Sequence, residues 1–363
     1  MAFKILDPKS NLSNQESPIK QIPLNLTRDL SQVWIYSNYP EALTSDCFGD
    51  VGLGNRFLNK ASVGAGSHEI FYSYGDFVNK LGPFNFGIQV YNPNPVPILF
   101  RRVNYSHRDS AAYGGWAGVN GGIWGDYFNS EPETHVEVQP GGEHWFNEYE
   151  IPKGCIFSGN VRFSLDNEAT ITLYVFKNKT DIDGTATAYP EPEKIVQFSG
   201  TGEGFSYTAE PITLKASELT EGQYFITNYR DSHNGLLSIN NVPSESDLIP
   251  LKLVGSDRLI VPPTGNLGNW AAHYHFTLNL DNDTNTEKTF SGFVKTDVWG
   301  DSDNWPVIRS ADNWAYARIN PTEFNSWQWL SHTVPANETY TGTFQFIQGT
   351  NGFHMVRHIF RII

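Results

Sequence analysis

The sequence predicts an all-β protein made of two tandem, homologous β-sandwich domains of jelly-roll type. Three observations carry that expectation. Apolar and polar residues alternate over long stretches, the composition favours sheets and turns, and the chain resembles itself at a nearly constant offset. In "FNFGIQVYN", Phe84, Phe86, Ile88 and Val90 share one face; in "HYHFTLNLDN", Tyr274, Phe276, Leu278 and Leu280 do the same. Period two over such a length marks a strand with one buried face. "SGNVRFSLDNEATITLYVFKN" reads as a hairpin turning at "DNE", and "GTFQFIQGTNGFHMVRHIF" as its counterpart turning at "GTNG". The 363 residues include 24 Phe, 17 Tyr and 10 Trp, beside 32 Gly and 21 Pro. Aromatic side chains fit pleated surfaces, while Gly and Pro punctuate turns. No segment shows capped 3.6-residue periodicity; "LTRDLSQ" (26–32) and "ASELTEG" (216–222) are expected to hold one helical turn each. Strands joined by crossover helices are absent from this pattern, which excludes a doubly wound fold.

The self-similarity sets the domain boundaries. A shift of 190 brings Asn38–Tyr39 onto Asn228–Tyr229, Lys4–Ile5 onto Lys194–Ile195, and Ile70 onto Ile260. The same shift brings Phe86, Ile88 and Val90 onto Phe276, Leu278 and Leu280, and Phe100 and Val103 onto Phe290 and Phe293. Farther along, a shift of 183 brings Pro152, Gly159 and Phe163 onto Pro335, Gly342 and Phe346, with Trp145 matching Trp327 or Trp329. Duplication of a module is the reading, with copies at 1–188 and 189–363 and the Pro/Glu-rich "YPEPEK" (189–194) as linker. Residues 1–22 are expected to form an arm, either flexible or adding as a strand to the open edge of a neighbour.

Charge narrows the partners. The formal net charge is −14, so polyanions such as nucleic acid, and anionic membrane surfaces, are repelled. No run of about 18 apolar residues occurs, so no membrane span is expected. The start of the chain shows no signal-peptide core. Cys47 and Cys155 allow one disulfide or two free thiols, and they show no metal-type spacing.

"WIYSNYPE", followed by a strand of pattern x-P-x-G-x-x-x-S-G-x-V-x-F, resembles duplicated β-rich regions of surface and secreted proteins in Gram-positive spore formers. Those regions sit beside stalk or copper amine oxidase N-terminal-like segments. The resemblance implies an extracellular, cell-surface or spore-surface location and no catalytic activity. Those proteins begin with a signal peptide; none is visible at the start of this chain, as expected of a chain not exported by that route, of one whose signal has been removed, or of one released by lysis.

Candidate chemistry is sparse. In "LDNDTNTEKTF", Asp281, Asp283, Asn285 and Glu287 place oxygen ligands at alternate positions, a spacing that can wrap calcium. The equivalent loop "YNPNPVPIL" has no carboxylate, and a polar turn explains the same residues. Asp297, Asp301 and Asp303, with Asp126 in the first copy, read as acidic loops. His273 and His275 share a strand face, with His354 or His358 as a distant third ligand, but no Glu follows as in jelly-roll metal enzymes, and solvent-facing histidines opposite a buried Tyr274 and Phe276 are the preferred reading. Glu148 and Glu150 lie two apart on one strand face; a hydrolase needs two carboxylates across a cleft, but in a chain with this many acidic residues such a pair is expected by chance. No G-x-S-x-G elbow is present. "YGGWAGVNGGIWGDYF" (113–128) reads as a long loop whose Tyr113, Trp116 and Trp124 either are displayed for sugar rings to stack on or fold back to cap the sandwich edge, the second being the preferred reading. The sequence thus favours a non-enzymatic structural or interaction protein that associates with itself or with surface proteins. A pair of carbohydrate-binding modules is the alternative, and a metal-dependent jelly-roll enzyme the third reading.

Overall fold

The computed structural model describes residues 1–7, 9–10, 20–39, 41–48, 56–182, 187–188, 199–228, 230–231, 235–236, 251–253, 259–260, 271–296, 304–320, 323–349 and 356–363. The protein is all-β, with strands paired face to face as sandwiches. Contacts divide it into two units. The first comprises Leu30–Phe205 and Ile249–Gly265; the second comprises Met1–Asp29, Ser206–Leu248 and Asn266–Ile363. The units therefore interleave along the chain instead of meeting at 188/189. The expected linker (189–194) lies outside the described residues.

In the first unit the strands are β1 (Val33–Ser37), β2 (Arg56–Val63), β3 (Gly66–Gly75), β4 (Phe84–Tyr91) and β5 (Ile98–Tyr105). They continue with β6 (Val136–Val138), β7 (Glu143–Ile151), β8 (Ile156–Leu165), β9 (Ala169–Phe176) and β10 (Ser199–Glu203). One sheet runs β6-β5-β8-β3-β1-β10, and the facing sheet runs β7-β4-β9-β2. Alternation holds where it was expected: Phe84, Phe86, Ile88 and Val90 are all buried, against Phe157, Val161 and Phe163 of the opposite sheet. Each such burial stabilises by about 1.5–3 kcal/mol.

The second unit contains β11 (Ser206–Ala209), β12 (Ile212–Lys215), β13 (Gln223–Asn228), β14 (His273–Asp281) and β15 (Lys288–Thr296). It continues with β16 (Pro306–Ser310), β17 (Asn313–Tyr316), β18 (Ser326–Val334), β19 (Thr339–Gln348) and β20 (Val356–Ile362). One sheet runs β18-β15-β20-β13, and the other β17-β16-β19-β14-β11, with β12 also on β14.

The N-terminal segment supplies the outermost positions of these sheets. Lys9–Ser10 pairs with β18, Lys20–Gln21 with β13, and Leu26–Arg28 with β11. Ala2 bridges to Thr343 of β19. Phe3, 1% exposed, packs edge-on to Trp329 at 6.0 Å and against Tyr340 at 5.6 Å. It fits over Gly342, where any Cβ would come within 2.5 Å of the Phe3 ring. The described residues of the expected arm thus pair and pack within their own chain, because edge backbone and an apolar seat are available there. "LTRDLSQ" is correspondingly a strand at its start, whereas Ala216–Glu218 does form a short 3₁₀ turn.

Two expectations about pairing are overturned. "SGNVRFSLDNEATITLYVFKN" is not a hairpin: β8 pairs with β3 and β5, while β9 pairs with β2 and β4 in the opposite sheet. β19 and β20 likewise belong to different sheets. A period-two pattern states which face is buried, not which strand lies alongside. The shift of 183 also fails. It would bring β7 onto β18 and β8 onto β19, yet β7 pairs with β4, whereas β18 pairs with β15, not with β14, the shifted counterpart of β4. Registers instead equate Val138 with Val334: Val138 lies opposite Ile98, and Val334 opposite Lys288. "WIYSNY" and "YFITNY" also differ in place: β1 runs parallel to β3, whereas β13 is antiparallel to β20. The strand order β6-β5-β8-β3-β1 corresponds instead to β18-β15-β20-β13 followed by Lys20–Gln21.

The shift of 190 does hold at one corner. Asn92, between β4 and β5, donates its amide to Val96 O (2.8 Å) and Val138 O (2.9 Å). Asn282, between β14 and β15, donates to Thr286 O and Val334 O, both at 2.9 Å. Each side chain is fully buried and carries the chain from one sheet to the other. Asn92→Ala leaves two carbonyls without that donor and is expected to destabilise the first unit by about 2 kcal/mol. Asn282→Ala should do the same to the second. Urea denaturation followed by tryptophan fluorescence checks both, and unchanged midpoints would mean that packing alone holds the corners.

Candidate functional site

A polar cluster of the first unit is built around a bulge in β7. Pairing with β4 passes from Phe146 opposite Ile88 to Tyr149 opposite Phe86, so Asn147 and Glu148 together face Gly87 and β7 carries one extra residue. Asn147 adopts φ 49°, a left-handed conformation that Asn tolerates better than most residues. Its side chain therefore turns inward. Oδ1 accepts from Arg102 at 2.5 Å, and Nδ2 donates to Tyr72 Oη at 3.4 Å. Arg102 also donates through Nε to Glu133 Oε2 at 2.8 Å, and its second nitrogen grips Glu133 Oε1. Tyr72 Oη lies 3.0 Å from His107 Nδ1. The His107 ring stacks on Tyr149 with centroids 3.6 Å apart and planes 8° apart.

Burial sets the protonation of this cluster. Desolvation pushes His107 down to about 4, against a small opposing pull from Asp109. Desolvation raises Tyr72 well above its ordinary value and also raises Tyr149. The hydrogen bond from Arg102 holds Glu133 below the usual carboxylate range. At neutral pH the cluster therefore contains a neutral imidazole, two neutral phenols and one ion pair. It orients groups and accepts or donates hydrogen bonds; none of its shifted groups changes charge near pH 7.

Among the described residues, each unit has a cleft on a sheet face. The one in the first unit, about 490 Å³, is lined by Asn85, Glu148, Tyr149, Glu150, Lys177 and Lys179. The expected carboxylate pair, Glu148 and Glu150, thus lies in one cleft, with Glu148 ion-paired to Lys179. Lys179 sits 5.0 Å from the Trp145 ring, which packs with Tyr174 and Phe176. The second-unit cleft, about 380 Å³, is lined chiefly by Thr208, His275, Thr277, Arg309, Asp312 and Gln345.

The segment 113–128 is not a loop. Ser110–Tyr113, Trp116–Asn120 and Gly122–Asn129 are short helices. Asp109 caps the first by accepting from Ala111 N and Ala112 N, both at 2.9 Å. Asp126 binds Arg108 through both oxygens, at 2.6 and 2.9 Å. Gly122 lies directly beside that pair, where a Cβ would fall 1.8 Å from the Arg108 guanidinium and push it aside. Trp124 is fully buried with Tyr127, whose hydroxyl donates to the buried Glu69 at 2.9 Å. Trp124 is therefore not displayed for stacking. The spacing of Ile123, Trp124 and Tyr127 on one helical face was the signal for this. Tyr113 is 44% exposed beneath the Arg108 guanidinium. Trp116 begins the second helix, and its side chain lies outside the described residues.

The calcium candidates lie on one turn but face separate partners. Asp281 accepts from Thr339 at 3.0 Å, while Asp283 accepts from the backbone of Ser217 at 2.9 Å and from its hydroxyl. The Ser217 bonds hold Asp283 below the usual carboxylate range. Asn285 and Glu287 are exposed. Among the described residues no three of His, Cys, Asp and Glu come together as a metal site. Asp297, Asp301, Asp303 and His354 lie outside the described residues. His273, read as exposed from the sequence, is buried and bonded to Gln345 at 2.5 Å. His358 is a core residue, stacked on Phe225 at 4.7 Å and edge-on to Phe346 at 4.5 Å. Burial pushes it down to about 3. Cys47 and Cys155 are free and buried, and burial raises the Cys47 thiol to about 11.

No family model matches the chain, and no curated protein is similar to it. Among solved structures, the PBSX exported protein XepA aligns over 84% of this chain and 86% of its own, at 10% identity and a TM-score of 0.14. Lactobacillus farciminis oxalate decarboxylase aligns over 84% of this chain and 77% of its own, at 10% identity and a TM-score of 0.11. Streptomyces albus HEPD aligns over 98% of this chain and 78% of its own, at 9% identity and a TM-score of 0.14. Likenesses at these scores carry no argument about chemistry. Among the described residues no helix is long and apolar enough to cross a membrane.

Two measurements probe the buried groups. His107 and His358 bind protons more readily unfolded, near pH 6.5, than folded. Their contribution is therefore full above pH 6.5 and is lost as pH falls toward about 4 for His107 and about 3 for His358. Melting temperature should fall over that window, and His107→Gln should flatten the slope by on the order of 2–3 kcal/mol across it. An unchanged slope would place His107 in water. Neither thiol should react with a thiol reagent until denaturant is added, when both should; rapid labelling of the native protein would contradict the burial of Cys47 and Cys155.

Proposed function

We propose that the protein is a non-enzymatic structural subunit that joins to copies of itself through its N-terminal segment. One observation carries this reading: Met1–Asp29 belongs to the second unit, while the chain that follows it directly, from Leu30, builds the first. Segments of this kind are the ones exchanged in domain swapping, since a second copy offers the identical seat. Exchange of Met1–Asp29 would place the segment of one copy on the second unit of the next. Repeated head to tail, that geometry gives an open chain. Burial moves His107, Tyr72 and Tyr149 away from titrating near pH 7, which supports a structural reading over acid–base catalysis. Placement at a cell or spore surface rests on the sequence resemblance, and the net charge of −14 suits an exposed, soluble surface.

The bridge between Ala2 and Thr343 provides the test. Cysteines are introduced as Ala2→Cys and Thr343→Cys in a background of Cys47→Ala and Cys155→Ala. The protein is unfolded, refolded at rising concentration and oxidised. Exchange predicts a ladder of covalent oligomers that grows with concentration, with filaments under the electron microscope. Intramolecular bridges alone, at every concentration, would contradict the proposal.

A further inference from the structure

The outward face of the second unit presents a combination that the assembly reading does not use. Along β14 and β19 the inward positions are Phe276, Leu278, Phe344 and Phe346, all buried. The outward positions between them are His275, Thr277, Thr343 and Gln345, and these line the 380 Å³ cleft. That volume falls within the range of about 300–1,000 Å³ typical of small-molecule sites. One wall is the turn between β16 and β17, which brings Arg309, Ala311 and Asp312 to the rim. Ala311 holds φ 50° there, a left-handed conformation in a two-residue hairpin turn where Gly is the ordinary occupant. Arg309 is anchored by donating to Ala311 O at 2.9 Å. Directly across from Arg309 stands Trp314, and cross-strand neighbours share a face. Trp314 and Tyr316 lie with their rings 9° from parallel, 6.3 Å apart. Both are partly exposed.

We infer that this cleft and its aromatic flank bind a neutral oligosaccharide. A sugar ring has an apolar C–H face, which a flat indole or phenol covers, and a rim of hydroxyls. Each hydroxyl both donates and accepts, so it needs mixed partners; threonine hydroxyls, the Gln345 amide and the His275 ring provide them. Arg309 and Asp312 bring one charge of each sign, so the lining itself selects no net charge. The overall charge of −14 disfavours an anionic ligand. The cleft lies on a sheet face instead of an edge, which is unsuited to an added peptide strand. The site stands apart from Tyr113, Trp116 and Trp124, and it does not depend on exchange of the N-terminal segment.

Titration calorimetry of the full chain with neutral tetrasaccharides of glucose, xylose, mannose and N-acetylglucosamine tests the inference. At least one is expected to bind, with a change in tryptophan fluorescence. Trp314→Ala should weaken binding by about tenfold or more. Thr343→Val, an exposed and nearly isosteric change, should weaken it by several-fold while melting temperature stays within a degree or two; this variant decides the matter if Trp314→Ala disturbs the hairpin. Absence of binding by all four sugars at millimolar concentration would overturn the inference. Binding that survives both substitutions, or that is lost instead in Trp116→Ala, would overturn it as well.

Discussion

A β-sandwich leaves backbone N–H and C=O groups bare along its outermost strands, and the second unit meets that constraint with chain drawn from its N-terminus. Leu6 N donates to Trp329 O at 2.9 Å, and Trp327 Nε1 donates to Leu6 O at 2.8 Å. Thr343 N donates to Met1 O at 3.1 Å, and Ile22 N to Tyr224 O at 2.7 Å. Short stretches of one segment thus occupy edges on both sheets, and Phe3 fills the gap between β18 and β19. Uncovered edges of this length invite pairing with another chain. Covering them from within the molecule blocks that route.

The buried polar groups fit a molecule whose interior serves shape. Glu69 is fully buried but accepts from Tyr127 and lies 3.2 Å from Arg162. Asn92 and Asn282 use their amides to turn the chain between sheets. His358 sits among Phe225, Phe276, Phe344 and Phe346 as a flat, neutral ring. In each case a polar residue is held by packing and by specific partners, which favours one arrangement of strands over its competitors. The outward faces, by contrast, carry mixed polar and aromatic groups within reach of solvent, as the β14–β19 cleft does.

How much of this the sequence revealed follows from the range of each interaction. The buried faces of β4 and β14 were legible, because alternation is local and Phe86 and Phe276 mark it directly. The corner at Asn92 and Asn282 lay on the correct 190-residue shift, though nothing local announced its role. Strand partners were not legible: β8 and β9 show the same pattern whether they pair with each other or arch between sheets. The helices of 110–129 were hidden by their glycines, which lower helix propensity while Trp124 and Tyr127 supply the burial that outweighs it. The cluster of Tyr72, Arg102, His107, Glu133, Asn147 and Tyr149 joins residues tens of positions apart, and only the fold assembles it. The aromatic pair displayed beside a cleft is Trp314 and Tyr316, two apart in "NWAY", a stretch as short as many others in an aromatic-rich chain.

Amide hydrogen exchange on the intact protein tests the central claim most directly. Segment 1–10 should be protected together with 339–348, and Phe3→Ala should speed exchange in both while leaving 84–91 unchanged. Full exchange of 1–10 within seconds, while 339–348 remains protected, would contradict it.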